Sequence, residues 1–294
     1  MKILIAGGTG FIGTYLSKQF KNKGFDVHFV SRSKAHVQWN EAELINELDK
    51  TNVLINLAGK TINCRHTPEN KKLIYNSRID TTNMLGEALL KCKSKPELWI
   101  NASASAFYKS ENAHCQTETN FKEGDDFLAK TVQDWEKAFF DYTVSGVRQV
   151  ALRTSVVLGN GGGAFEPLRM LTKYGLGGKA GSGKQYFSWI HIEDYFRIIE
   201  FAIQHTNLQG AVNATSPEPV NNAEFMKSLR QSLGCKIGLP APEFAIRIGA
   251  RFINTEAGLL LNPVRYCPEL LLNSGFEFKY PNCKSAIEDL IKRY

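Results

Sequence analysis

The sequence opens with the apolar run Met1-Lys-Ile-Leu-Ile-Ala6, which leads directly into Gly7-Gly-Thr-Gly-Phe-Ile-Gly13. An apolar strand followed by spaced glycines and a helical pattern is typical of a loop that holds a dinucleotide pyrophosphate. Gly7 permits the sharp turn after the strand, Gly10 lets phosphate approach the backbone, and Gly13 lets the helix pack closely on the sheet. The N-terminus of that helix adds free N–H groups and a positive dipole.

The context of the glycine loop favours cofactor binding over an ordinary glycine-rich turn, which is the alternative interpretation. The loop follows an apolar run, opens a helical pattern over 11–23 and precedes a second strand over 27–30. A dinucleotide site requires this order of elements, and we therefore predict cofactor binding. The register of the motif stays open, because the spacings Gly8-x-Gly10-x-x-Gly13 and Gly7-x-x-Gly10-x-x-Gly13 both fit.

The end of the second strand indicates which dinucleotide is bound. Sites that prefer NAD usually place Asp or Glu there, to accept a hydrogen bond from the ribose 2′-hydroxyl. This chain has Ser31-Arg32-Ser33 instead, and a guanidinium flanked by hydroxyls suits a 2′-phosphate. A solvated surface charge is the alternative for Arg32. The sequence therefore predicts NADP(H) as the cofactor.

Length and composition indicate a globular chain without a membrane span. The chain has 294 residues, of which 43% are hydrophobic, and it can bury a full core. No stretch approaches the roughly 20 apolar residues of a membrane-spanning helix, and we expect no signal peptide because the first strand begins at Met1. The six cysteines show no C-x-x-C pair, so we expect reduced thiols and a cytoplasmic protein.

The formal net charge of +7 raises the question of a nucleic-acid partner. The basic residues are dispersed, and their densest runs, over 18–23 and 91–95, fall on helix faces or ends. Without stacking aromatics or a nucleic-acid-binding module, such runs are better explained as solvated charge. A positive balance also suits a protein that handles phosphorylated cofactors and anionic substrates.

Strands and helices alternate through the first half of the chain, which predicts an α/β fold with a Rossmann-type, doubly wound parallel sheet. We assign 1–160 to an NADP(H)-binding domain, to which 186–215 return. The segments 161–185 and 216–294 form a smaller, mostly helical substrate or partner lobe in this prediction. Further strands are expected over 53–57, 98–101, 148–158, 188–191 and 210–214, and further helices over 41–49, 68–92, 125–141, 164–174 and 193–205.

Several motifs together resemble the extended short-chain dehydrogenase/reductases, the group that contains nucleotide-sugar epimerases. They are the glycine loop, Asn56-Leu-Ala-Gly59, the serine-bearing strand end over 102–105 and Trp189-Ile-His-Ile-Glu-Asp194. A further set is similar to an atypical branch, the epimerase family proteins, which are described as NADP-dependent oxidoreductases. This set comprises Leu152-Arg-Thr-Ser-Val-Val-Leu-Gly159, Gly161-Gly-Gly-Ala164, Gly175-Leu-Gly-Gly178, Gly181-Ser-Gly-Lys-Gln185 and Asn213-Ala-Thr-Ser-Pro-Glu-Pro219.

The resemblance extends the cofactor site beyond the glycine loop. It implies small residues against the adenosine and pyrophosphate, arginines as cationic contacts, and a strand end beside the nicotinamide. A helix-surface charge is the alternative for Arg78, and a strand-end ion pair is the alternative for Arg153. The predicted cofactor-binding residues are Gly7, Thr9, Gly10, Phe11, Ile12, Gly13, Ser31, Arg32, Leu57, Ala58, Gly59, Arg78, Ala102, Ser103 and Arg153.

The usual catalytic pair of this superfamily is absent from the expected helix. A Tyr-x-x-x-Lys pair places both side chains on one helix face, where the ammonium lowers the tyrosine pKa for proton transfer. Here Leu128 and Val132 stand at those positions, and neither can move a proton. Ser103 and Tyr108 remain as catalytic candidates, with Ser105 nearby. For Ser103, the alternative role is a hydrogen bond to the nicotinamide carboxamide. For Tyr108, the alternative is packing at a strand end.

Two hypotheses about function follow. The first is an NADP(H)-dependent oxidoreductase or epimerase-like enzyme that acts on a small molecule, anionic or carbonyl-bearing, with unconventional proton donation. The second is a non-catalytic NADP(H)-binding or sensing protein that acts through a partner, which the missing pair favours. We predict no metal site, no nucleic-acid partner and no membrane, and an oligomer is compatible with the sequence.

Overall fold

The computed structural model describes residues 1–32, 36–109, 114–252, 255–261 and 264–293, so Ser33 lies outside the described residues. The strands are β1 Lys2–Ala6, β2 Asp26–Val30, β3 Val53–Asn56, β4 Leu98–Ala104, β5 Arg148–Thr154, β6 Val156–Leu158, β7 Tyr186–Phe187, β8 Trp189–His191, β9 Gly210–Ala214 and β10 Val220–Asn221. The helices are α1 Phe11–Asn22, α2 Glu41–Leu48, α3 Pro68–Lys91, α4 Phe127–Phe140, α5 Phe165–Lys173, α6 Ile192–Gln204, α7 Asn222–Ser232, α8 Glu243–Phe252, α9 Gly258–Leu261, α10 Glu269–Asn273 and α11 Cys283–Lys292.

A six-stranded parallel sheet with the order β2-β1-β3-β4-β5-β9 forms the centre of the molecule. Its inner strands are apolar runs, such as Ile3–Ala6 and Val53–Ile55, that are buried on both faces, as parallel strands covered by helices must be. The chain passes from β1 to β2 on one side and then crosses to β3 on the other. That reversal opens a crevice at the carboxyl ends of the strands. The predicted α/β fold is confirmed.

The strand predicted over 148–158 is divided in the structure. The Ser155 N–H donates to the Ala214 carbonyl at the edge of the central sheet, and the next N–H, of Val156, donates to Ser188. The chain thus leaves the central sheet at Ser155 and pairs as β6 with β8 in a separate two-stranded sheet. No local pattern marks this change, because the apolar residues continue across the break.

The C-terminal part of the chain is mostly helical, as expected. A cluster of buried side chains from α5, α7 and α11, including Phe165, Phe225 and Ile287, packs around Trp189 of β8. The short antiparallel pair of β7 and β10 borders this cluster. Among the described helices, none combines the length and apolar character needed to cross a bilayer.

One prediction about the cysteines is wrong. Cys115 and Cys267 form a disulfide, whereas the sequence led us to expect six reduced thiols. The two residues are 152 positions apart, and no local spacing marks them as partners. The chain brings them together because the segment around Gln116 pairs with Tyr266, with the Gln116 N–H donating to Arg265 and the Cys267 N–H donating to Gln116. Cys64, Cys92, Cys235 and Cys283 are free thiols.

Candidate functional site

The geometry of the glycine loop resolves the register that the sequence left open. Gly7 has a φ of +79°, which side-chain-bearing residues rarely adopt, and this permits the turn after β1. A Cβ on Gly13 would lie 2.5 Å from the Gly7 carbonyl oxygen, so α1 packs directly on the loop. Gly8 is required for another reason, because its Cβ would lie 2.3 Å from the Phe29 ring. The spacing Gly7-x-x-Gly10-x-x-Gly13 therefore describes the turn and the helix packing.

The start of α1 fits an anionic ligand. The N-cap is Gly10, and no side chain among the described residues caps the helix or places an acid in its first turn. A Cβ on Gly10 would meet only the Gly7 carbonyl oxygen, at 3.4 Å, so the backbone is accessible there. The hydroxyls of Thr9 and Ser31 lie 3.4 Å apart beside the loop. Free N–H groups without a competing carboxylate are what a pyrophosphate requires.

The loop after β3 lies against the glycine loop. The side chain of Asn56 accepts a hydrogen bond from the Ala58 N–H and donates to Asn101 in β4. The Leu57 N–H donates to the Ala6 carbonyl. A Cβ on Gly7 would lie 2.9 Å from the Ala58 nitrogen. These contacts bring the predicted Leu57, Ala58 and Gly59 to the same edge of the sheet as the glycine loop.

Arg78 provides a half-buried cation next to Gly59 that has no carboxylate partner among the described residues. Its guanidinium donates to the carbonyls of Lys60 and Ile74, and its Cζ lies 5.2 Å from the centre of the Trp135 ring. Burial lowers the pKa of Arg78 to about 10, and within the described part of the chain no carboxylate pairs with it. A buried cation is stable only with compensation, so an anion bound there would relieve the cost of its burial.

The predicted residues Ser103, Tyr108 and Arg153 meet in one buried hydrogen-bonded network. Arg153 of β5 forms a bidentate ion pair with Glu136 of α4, at 2.9 and 2.7 Å. Ser103 donates to the same carboxylate. Tyr108 accepts from Arg153 at 3.0 Å and donates to Asn213 of β9. The ion-pair alternative for Arg153 therefore describes its contacts in this structure, and its contact with a cofactor stays a prediction.

The network fixes the protonation of Tyr108. Burial raises the pKa of Tyr108 to about 12, and the charge of Arg153 opposes this shift. The phenol is thus neutral at physiological pH and already has both a donor and an acceptor partner. Sequence reasoning missed Glu136 and Asn213. Glu136 carried a usable signal, because it lies one helical turn after Val132 on the buried face of α4, where an acid needs a partner.

A cleft of about 660 Å³ opens beside this network, at the ends of β4 and β5. Ser105 lines it, whereas the Ser103 hydroxyl donates to Glu136. β4 ends at Ala104 and Ser105 begins a 3-10 turn over 105–107, so the alternation of the strand, which would put residues two apart on one face, no longer holds at Ser105. Leu128 also lines the cleft, and Val132 is buried next to Tyr108. The full lining is Ile62, His66, Lys71, Ala104, Ser105, Ala106, Tyr108, Asp126, Phe127, Leu128, Thr154, Ser155, Val156, Glu256, Gly258, Leu259 and Val264.

A buried hydroxyl lies behind the cleft. Tyr266 is fully buried, and burial raises its pKa, while the neighbouring hydroxyls of Ser155 and Ser105 lower it. The ring packs at 5.4 Å from that of Tyr108. Sequence reasoning could not find Tyr266, Lys71 or His66, because the elements that carry them are distant in the chain from β4.

A family model described as the NAD dependent epimerase/dehydratase family matches residues 3–214. The chain belongs to this family. A second model, described as a domain of unknown function, matches residues 241–290.

Full-length relatives narrow the position of the chain within the epimerase/dehydratase family. It is 34% identical to the epimerase family protein of Staphylococcus haemolyticus, with 99% of each chain covered. It is 33% identical to the epimerase family protein SDR39U1 of Mus musculus, over 99% of this chain and 100% of the relative. The solved structure of human SDR39U1 with NADPH matches with a TM-score of 0.90 and 31% identity, over 100% of both chains. The family predicted from the motifs is confirmed.

Proposed function

We propose that this chain is an NADP(H)-dependent oxidoreductase or epimerase-like enzyme of the extended short-chain dehydrogenase/reductase type, acting on a small carbonyl compound. The observation that carries the proposal is the N-terminus of α1 at an accessible Gly10, where no described side chain caps the helix, together with the cation of Arg78, which no described carboxylate neutralises. Human SDR39U1, which was crystallised with NADPH, has the same fold throughout its length.

The proposed cofactor contacts follow from the positions of the predicted residues. The glycine loop and the start of α1 would hold the pyrophosphate, with Leu57 to Gly59 and Arg78 on its other side. Arg32, exposed at the end of β2, would pair with the 2′-phosphate, and Ser31 lies beside it. Ala102 at the end of β4 would face the nicotinamide.

The chemistry requires a proton donor as well as a hydride. Bound NADPH supplies the hydride for a carbonyl carbon, and the carbonyl oxygen must then receive a proton to give the alcohol. We propose that the Ser105 hydroxyl, which lines the cleft next to the Tyr266 hydroxyl, would donate its hydrogen to this oxygen and would regain a proton from solvent water in the open cleft. Ser103 and Tyr108 would act as positioning residues, because Glu136 and Arg153 already engage them.

A specific observation favours the second hypothesis, a non-catalytic NADP(H) sensor. Leu128 occupies the cleft wall where a catalytic tyrosine would stand, and Val132 is buried in place of the lysine. Neither side chain can exchange a proton. Robust oxidation of NADPH by any carbonyl compound would rule this hypothesis out. A partner bound only in the presence of NADPH would support it.

Fluorescence titration tests the cofactor proposal, by measuring how tightly NADPH and NADH bind to the wild type and to the Arg32→Ala variant. We expect NADPH to bind far more tightly than NADH. Arg32→Ala should lose about tenfold or more in NADPH affinity with little change for NADH, because only the 2′-phosphate contacts the guanidinium. Arg251→Ala, which removes another exposed arginine on α8, is the matched control. Equal affinities for both cofactors in the wild type would refute the specificity.

A further inference from the structure

We infer that the cleft takes a small, largely apolar compound through one anionic group, a carboxylate or a phosphate, held by Lys71. This inference rests on the proposed function, because it names the substrate class of the same site. Its evidence is separate from the cofactor loop and lies in the charges and walls of the cleft. The volume of about 660 Å³ is within the usual range for small-molecule sites.

Lys71 is the cation that the cleft leaves unpaired. It lies in the first turn of α3, is half-buried, and its Nζ is 5.1 Å from the centre of the Phe127 ring. No carboxylate in the described segments forms an ion pair with it. The aromatic ring holds the ammonium without neutralising it. An ammonium in this position would gain a charge-assisted hydrogen bond from an anionic ligand.

The two carboxylates of the cleft are already engaged elsewhere. Asp126 caps α4, with its side chain accepting from the Ala129 N–H at 2.8 Å. Glu256 accepts from the His66 N–H at 2.8 Å and lies 3.4 Å from the Arg65 guanidinium. Each acid therefore stabilises the wall of the cleft. Neither forms an ion pair with Lys71, so the ammonium can pair with a ligand.

His66 fixes the ring on which Lys71 rests. Its Nε2 lies 3.1 Å from the Ile62 carbonyl oxygen, which can only accept, so this nitrogen carries the proton. The imidazole then packs edge to face on Phe127 with 5.8 Å between the ring centres. Phe127 thus contacts both His66 and Lys71, and the site for the anion is held by α4 as well as α3.

The remaining walls determine the rest of the ligand. Apolar side chains are the largest group among the lining residues, whereas the hydroxyls belong to residues at or near the ends of β4 and β5, where the reacting carbonyl is placed in the proposed function. A sugar or a nucleobase would leave its polar groups unpaired against such walls, at a cost in affinity. An alkyl or aryl body fits them. The apolar residues are Ile62, Ala104, Ala106, Phe127, Leu128, Val156, Leu259 and Val264.

The test measures binding of simple probes to the NADP⁺-loaded full chain by titration calorimetry, so it does not depend on turnover. The probes are hexanoate, hexyl phosphate, hexanamide and UDP-glucose. We expect one or both of the hexyl anions to bind, which distinguishes a carboxylate from a phosphate ligand. The neutral amide, which matches hexanoate in shape, should bind at least about tenfold more weakly than hexanoate. UDP-glucose should not displace the hexyl anions.

Variants locate the binding at Lys71. Lys71→Met should reduce the affinity for the hexyl anion about tenfold or more, and Lys71→Arg should retain most of it. Lys72→Met, which removes the exposed neighbour on the same helix, should bind as the wild type does. Unchanged affinity in Lys71→Met, equal binding of hexanamide, or preferred binding of UDP-glucose would overturn the inference. Failure to bind NADPH would instead overturn the proposed function, so the two outcomes are distinguishable.

Discussion

Gly13 shows how a single missing Cβ shapes the cofactor loop. A Cβ at this position would lie 2.5 Å from the Gly7 oxygen and 2.7 Å from the Gly8 Cα, and both neighbours are backbone atoms that cannot move aside as a side chain can. The start of α1 would have to shift away from the loop, and its N–H groups would move with it. We therefore expect this position to couple packing to the proposed binding of the pyrophosphate.

We expect Gly13→Ala to destabilise the protein by about 1–3 kcal/mol and to lower NADPH affinity at least tenfold. Thermal or urea unfolding and fluorescence titration measure the two effects. Gly249→Ala is the matched control, since it is also a helical glycine but its Cβ would meet no atom within 4 Å. That variant should be neutral or slightly more stable, because alanine favours a helix over glycine. Normal NADPH binding by Gly13→Ala would contradict the assigned role.

At the scale of elements, His191 joins the start of α6 to α11. Its Nδ1 accepts from the Glu193 N–H as the N-cap, so the neutral ring carries its proton on Nε2, 3.3 Å from Asp289. His191, Glu193 and Asp289 also have the spacing of metal ligands, but Arg293 pairs with both acids and Lys279 pairs with Glu193.

This histidine predicts a pH dependence of stability. Burial lowers the pKa of His191 from 6.5 to about 4, so the unfolded chain binds a proton more readily than the folded one. Its contribution is present above the pKa of an unfolded histidine and is lost as the pH falls from about 6.5 towards the lower pKa of the folded state. Urea unfolding between pH 7 and pH 4 measures it. His191→Asn, which keeps an N-cap acceptor, should flatten this part of the curve, and an unchanged slope would refute the assignment.

At the scale of the whole molecule, the disulfide between Cys115 and Cys267 links segments 152 residues apart. It adjoins Tyr266, which packs against Tyr108, and Val264 of the cleft wall. Glu118 strengthens the same junction, because its carboxylate accepts from the N–H groups of Asn213 and Leu270. The cross-link therefore holds the C-terminal segment against the central sheet.

We expect thiol titration of the denatured, unreduced protein to find four free cysteines. Cys267→Ser should lower stability by about 2–4 kcal/mol, because the cross-link restricts the unfolded chain. Cys235→Ser, at a free and half-buried cysteine, is the control and should change stability little. Titration of all six thiols would show that the bond does not form in solution.

The sequence by itself determined the features that depend on neighbouring residues. Apolar runs and helical patterns located the central strands and the main helices, and the glycine spacing located the turn after β1 where we propose that the pyrophosphate binds. These features follow from backbone conformations and side-chain periods that a short segment sets on its own.

Only the tertiary structure decided which distant side chains meet. It paired Arg153 with Glu136, turned Ser103 away from the cleft while Ser105 lines it, and joined Cys115 to Cys267. It also brought Lys71 into a cleft that the C-terminal segment helps to close. The physical reason is that such contacts depend on how complete elements pack against one another, and no local pattern encodes the partner across the core.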